Sequence, residues 1–161
     1  LLGITNLILQ SLENFIPGET SRKFISGSIK EMNIYLKKFA LKGFLAVSVI
    51  TFFVIIFSEF LLKMFYGAET ASHYQVLMFI SFTFPLAFIH FPLVYGLRTL
   101  GKTKPIFISF LLSSIFAILG SNFIITYYEI KGVIAGLLFS NIITASYTYY
   151  GYRYYLKKEK L

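Results

Sequence analysis

Four polar side chains lie in or beside stretches that are otherwise apolar: His90, Asn122 and Asn141 within them, and Arg98 at the end of one. A polar group in hydrocarbon is costly, so each needs a partner or a task. His90 sits in "FPLAFIHFPL", flanked by Pro85 and Pro92. Its reference pKa of about 6.5 lets an imidazole take up a proton and then attract an anion. The guanidinium of Arg98 suits the same ligand class, because it grips phosphate-type oxygens bidentately where a lysine is a point charge. Thr83, Ala87, His90 and Val94 fall on one helical face that leads toward Arg98. His90 therefore has two readings: a polar group facing an aqueous cavity, or a packed imidazole that satisfies a carbonyl freed by a proline. Pro85 and Pro92 are hinge candidates, since each removes a backbone donor and clashes one turn back. Pro105 opens its helix, where a missing donor costs little. Asn122 and Asn141 can bond across to a neighbouring helix, worth about 0.6–2 kcal/mol, or line a substrate pathway.

No catalytic set accompanies these groups. The chain has two histidines, no HExxH, no glycine-rich phosphate loop and no serine–histidine–aspartate set at a recognisable spacing. It has no cysteine, which excludes disulfides, thiolate metal sites and thiol catalysis. The expectation is a protein that is not an enzyme, with no metal and no cofactor.

The elements that must carry these residues are set by composition. Soluble domains are about 45–50% apolar and about 25% charged, whereas this chain is 57% hydrophobic and 14% charged. The apolar excess is concentrated in residues 43–62, 74–97, 105–128 and 132–153. A helix needs roughly 20 apolar residues to cross a bilayer. The reading is an all-α, polytopic transmembrane bundle with four full spans. Residues 1–16 open with "LLGITNLILQSL", too short to cross alone. No basic n-region and no small-residue cleavage site mark a signal peptide, so these residues read as the tail of a fifth span, with an interfacial helix as the alternative.

Charge sets the expected orientation, because lysine and arginine accumulate in short cytoplasmic loops. Six lie before the first full span, one in the next connection (Lys63), three in "RTLGKTK", one in "EIKG" and four after the last span. The alternation places residues 17–42, the Arg98–Lys104 loop and the 154–161 tail in the cytoplasm, with Glu69 and Glu129 on outer turns. Tyrosines mark the borders as an interfacial belt. The net charge of +8 is thus divided among three short segments, unlike the single basic face of a nucleic-acid binder. Lipid is an expected partner, and nucleic acid is not.

Between residues 17 and 42 the pattern is amphipathic. Pro17–Gly18 reads as a turn and Thr20 or Ser21 as a helix cap. Ile25, Ile29, Met32, Leu36 and Phe39 form an apolar stripe opposite Lys23, Lys30 and Lys37. Such an arm can lie along the inner leaflet or continue as an extension of the following span. Glu59 and Lys63 have the i, i+4 spacing of an ion pair. Gly132, Gly136, Ser140 and Gly151 form a small-residue seam, matched by Ser113, Ala117 and Gly120, which predicts a tight hairpin of the last two spans.

The order of these features carries a resemblance. A basic arm leads into a span ending "LLKMFYGAETASHYQVL"; a proline-bearing span ends "GLRTLGKTK"; the next exits through "YYEIKGVIAG". This resembles the C-terminal half of the polysaccharide flippases of bacterial O-antigen and capsule pathways, in the multidrug/oligosaccharidyl-lipid/polysaccharide exporter superfamily. The resemblance covers nearly the whole chain through short, degenerate motifs. It implies part of the C-terminal lobe of a two-lobe transporter in the bacterial cytoplasmic membrane, completed by a missing N-terminal half of the same protein. It also implies a substrate, a polyprenyl-diphosphate-linked glycan carried to the outer leaflet, and a basic cavity to meet it. The cationic groups would then be Arg98, His90 or residues of the missing half. Two alternatives stand beside it. A cation-coupled drug exporter of the same superfamily calls for a mid-span acid, which this chain lacks; a polymerase or ligase of the same pathway calls for a large outer loop.

Overall fold

The computed structural model describes residues 15–158 and, of Asn122, the backbone alone. The fifth-span tail expected over residues 1–16 thus lies almost wholly outside the described residues. Among them, every regular element is a helix. Helix α1 covers residues 15–26, α2 Ile29–Ile56, α3 Ser58–Tyr66, α4 Ala68–Ala71, α5 Tyr74–Ser81, α6 Thr83–Thr99 and α7 Lys104–Lys158. Four segments, Ile29–Ile56, Tyr74–Thr99, Lys104–Ser121 and Phe123–Lys158, are long and apolar enough to cross a membrane. The chain is an all-α polytopic bundle.

From Ile29 onward the amphipathic arm is an extension of the following span, one of its two expected forms. Its start differs: Pro17 and Gly18 make no turn and lie within α1. Thr20 and Ser21 cap nothing: both lie inside α1, where the Thr20 hydroxyl donates to the Ile16 carbonyl at 2.7 Å. The chain breaks instead at Gly27, and Ser28 caps α2 by accepting from the Glu31 N–H at 3.5 Å. From there α2 runs unbroken past residue 42 to Ile56. Its apolar stripe does not face lipid. Met32 and Leu36 are buried, and the Phe39 ring sits 5.5 Å from Phe88 and 6.3 Å from Tyr95 of α6. Only Ile25, on α1, is left bare at 84% exposure. The stripe found a protein partner because α6 presents aromatic rings at matching heights.

The proline-bearing segment is interrupted at Phe82, three residues before Pro85. The displacement follows from the ladder: Pro85 has no N–H to return to the Ser81 carbonyl, so the i to i−4 bonding fails just there. Pro92 lies inside α6, which stays continuous around it. Glu59 and Lys63 form no ion pair among the described residues; they occupy the first and last turns of α3, each favoured by the helix dipole.

The last two spans are the arms of α7, residues 104–128 and 130–158, folded back at Glu129 with φ 48° and ψ −133°. Positive φ at a non-glycine residue is uncommon and marks a forced turn. The expected tight seam holds at both ends and where Ser113 and Ser140 hydrogen-bond across it. Near the turn, Gly132 lies against the backbone of Ile124, and at the other end Gly151 lies against the Pro105 ring. Between them the arms separate around a gap of about 170 Å³ lined by Ala117 and Gly136, where a methyl added to Gly136 would touch nothing within 4 Å. Small residues on both arms leave space that nothing larger fills.

The core gathers at one end. Met32 and Leu36 of α2, Val94, Tyr95 and Leu97 of α6, and Ile106, Tyr152 and Leu156 of α7 form one buried cluster. Close approach there depends on Gly96, since a side chain at that position would run into the Tyr152 ring and Leu36.

Candidate functional site

A cavity of about 400 Å³ opens between α6 and both arms of α7. From α6 it receives His90, Val94 and Arg98; from the first arm, Phe110 and Ser113; from the second, Ser140, Asn141 and Thr144. The α6 residues reach it together because positions 90, 94 and 98 recur at one-turn intervals on a helix. Three of the expected pathway residues, His90, Arg98 and Asn141, therefore line one cavity. Asn122 belongs to α7, and its side chain is outside the described residues. Pro85 stands in the first turn of α6 and Pro92 two residues beyond His90; neither lines the cavity.

His90 lines the cavity, and its bonding partner is a side chain of another helix. Its Nε2 lies 3.1 Å from the Thr148 hydroxyl, 58 residues away in sequence. Thr148 donates to Ser109 at 3.0 Å, and Ser109 donates to the Ile106 carbonyl at 2.7 Å. A carbonyl can only accept, so the chain has one direction. Ser109 spends its proton on Ile106, Thr148 spends its proton on Ser109, and His90 must donate from Nε2 to Thr148. The tautomer is thereby set by a backbone oxygen on another helix. Nδ1 remains an acceptor with no hydrogen bond from any described residue. The ring also meets Phe110 edge-on at 5.4 Å, which leaves it little freedom to turn.

Arg98 is exposed at the mouth of the cavity. The rise of 1.5 Å per residue sets it about 12 Å along α6 from His90. Ser113 and Ser140 hydrogen-bond across the hairpin. Thr144 donates to the Ser140 carbonyl at 2.9 Å, and the Asn141 amide donates to the Leu137 carbonyl at 2.9 Å. Asn141 is thus tied to its own helix rather than glued to another. The cavity has a cation at its mouth, hydroxyls and an amide along its wall, and no carboxylate in its lining. Such a lining can pair with an anion and hydrogen-bond polyhydroxylated groups.

Ser109, Thr144 and Thr148 were not anticipated as site residues. A signal existed: Ser140, Thr144 and Thr148 recur every fourth residue, as do Ser109 and Ser113. Hydroxyls at that interval stack on one helical face, which in a membrane span is a polar stripe.

Four candidate spans, three of them around a polar cavity with no described carboxylate in its lining, define a multi-pass membrane protein with a site inside its bundle. The MatE family model matches residues 18–124, and the chain belongs to that family. Its members are transporters of the multidrug/oligosaccharidyl-lipid/polysaccharide exporter superfamily. No curated protein and no solved structure matches the chain.

Proposed function

We propose that this transporter moves a polyprenyl-diphosphate-linked oligosaccharide from the inner to the outer leaflet of the bacterial cytoplasmic membrane, for surface polysaccharide synthesis. The observation that carries the reading is the cavity lining: an exposed arginine, a histidine and a run of hydroxyls, with no acid among them. The order of sequence motifs supports the same substrate. A cation-coupled drug exporter would call for a carboxylate to hold its ion, and none of the seven glutamates falls mid-span.

In this reading Arg98 meets the diphosphate at the entrance through a bidentate, charge-assisted contact. Nδ1 of the neutral His90 ring offers an acceptor to a sugar hydroxyl while Nε2 keeps its bond to Thr148. Ser113, Ser140 and Asn141 offer hydrogen bonds to the first sugars. The break at Phe82 and the backbone donors missing at Pro85 and Pro92 supply the bending that alternating access requires. The chain forms most of the C-terminal lobe, and a second lobe of the same protein closes the path.

The test is rescue of surface polysaccharide in a strain lacking the full-length protein, with expression matched. Arg98→Ala is expected to lower rescue, Arg98→Lys to recover part of it, and Pro85→Ala with Pro92→Ala to slow export. Full rescue by Arg98→Ala would remove that arginine from the substrate path. The charge pattern also orients the bundle with its basic end and C-terminus in the cytoplasm. In intact cells an impermeant maleimide should then label Ala68→Cys and spare Thr103→Cys, both exposed positions; the reverse pattern inverts the topology.

A further inference from the structure

The basic end carries a second cavity that transport through the His90 site does not use. It lies between α2 and the end of α7, with a volume of about 460 Å³, and three cations line it: Lys37, Arg153 and Lys157. No described carboxylate is in its lining, and the Arg22–Glu19 ion pair lies elsewhere. Arg153 and Lys157 are four residues apart on one helix, a spacing at which like charges repel. Lys37 faces them from α2. Three like charges therefore converge with no acid among the described lining residues.

The cavity continues into a second one, which keeps Lys37 and Arg153 on one side and adds an aliphatic wall on the other. A neighbouring space of about 250 Å³ shares Asn33, Lys37, Arg153 and Leu156 with it, and adds Leu36, Ala40, Pro92 and Leu93. The junction is held by the Tyr152 hydroxyl, which donates to Asn33 Oδ1 at 3.2 Å. That bond occupies the amide oxygen and leaves the Asn33 NH₂ as a donor toward the cationic side. The Arg153 guanidinium rests 6.0 Å over the Tyr149 ring, which pre-positions it. A cationic mouth joined to an apolar floor is the shape of an amphiphile with an anionic head. The groove shares no lining residue with the His90 cavity and meets a different face of α6.

We propose that this groove is a binding site for an anionic phospholipid of the adjoining leaflet. The phosphate lies among Lys37, Arg153 and Lys157, and the start of an acyl chain lies against the half-buried Ala40 and Leu93. Bound there, the lipid clamps α2 to the end of α7 by neutralising charges that otherwise push them apart. A basic pocket between transmembrane helices is a recognised setting for lipid headgroups.

The test is native mass spectrometry of the delipidated full-length protein titrated with phosphatidylglycerol or phosphatidylcholine. Wild type is expected to retain phosphatidylglycerol preferentially. Replacing Lys37, Arg153 and Lys157 by Gln should weaken that binding at least about tenfold, since each basic group near a surface contributes appreciably. Replacing Lys38, Lys102 and Lys104, which carry the same charge at the same end but lie outside the groove, should change it less than twofold. Equal loss in both triples, or equal retention of the two lipids, overturns the site. Ala40→Leu fills the apolar floor and leaves every charge in place, so it should also weaken phosphatidylglycerol; unchanged binding overturns the acyl contact. Inorganic phosphate at millimolar concentration should fail to displace the lipid. Displacement by it would make this a phosphate site and overturn the lipid assignment.

Discussion

The two ends of the bundle are built on different principles. At the basic end α2, α6 and both arms of α7 meet in one buried cluster, drawn together where Gly96 and Gly151 allow backbones to approach rings. At the end that carries the Glu129 turn, the same α7 hairpin is bare: Ile118 and Leu119 are 74% and 76% exposed, and Phe123, Ile125, Tyr127 and Tyr128 are exposed as well. Both ends are apolar, so hydrophobicity does not separate them. Packing does. In water such exposure would be heavily penalised, but a bilayer solvates apolar side chains as well as a neighbouring helix does. Association of spans then depends on close fit and hydrogen bonds, and these are found at the basic end and around the cavity. The cavity lies at the border between the packed region and the open one, where helices are held but not filled in.

The largest expected effect tests the packed end. Gly96→Leu places a branched side chain where the Tyr152 ring and Leu36 already sit, and overpacking of this kind costs about 1–3 kcal/mol or more. Its melting, followed by far-UV circular dichroism in detergent, should fall by several degrees. A melt equal to wild type would mean that the close approach is dispensable and that the two ends do not differ.

A smaller effect is expected at the border. Thr148→Val keeps the shape but leaves His90 Nε2 and Ser109 without their shared partner. The cost should be near 1 kcal/mol, within the range for interhelical hydrogen bonds in membranes. Combining it with His90→Phe should cost less than the sum of the two single changes, because both remove the same bond. Strict additivity would show that the relay from His90 to Ile106 carries no joint energy.

The smallest effect belongs to the open end. Leu119→Ala removes apolar surface that touches little protein, and substitutions away from packed features stay within about 0.5 kcal/mol. A loss well above that would mean the open end is covered by another part of the assembled transporter, and the comparison of the two ends would have to be redrawn.

Much of this architecture was legible in the residue order. Hydropathy is summed over roughly 20 neighbouring residues, so four spans and the turn near Glu129 could be read without knowing how helices meet. His90, Arg98 and Asn141 were visible because a polar residue in an apolar run stands out by itself. The arm was legible as an amphipathic helix, but not the identity of its partner. A stripe of Met32, Leu36 and Phe39 suits lipid and protein alike, and only the rings of α6 decided between them. A break in the proline-bearing segment was legible for a local reason: a proline disrupts the bond of the carbonyl four residues earlier, and the interruption falls at Phe82.

By itself the sequence determined which residues share a face, because the 3.6-residue period of a helix is a property of one chain segment. It could not determine which faces meet. That depends on the rotation of each helix and on the register between them, which are set by the turn at Glu129, the glycine contacts at Gly96 and Gly151, and the fit of the rings around Tyr95. For this reason the pairing of His90 with Thr148, across 58 residues, and the convergence of Lys37 with Arg153 were decided by the tertiary structure alone.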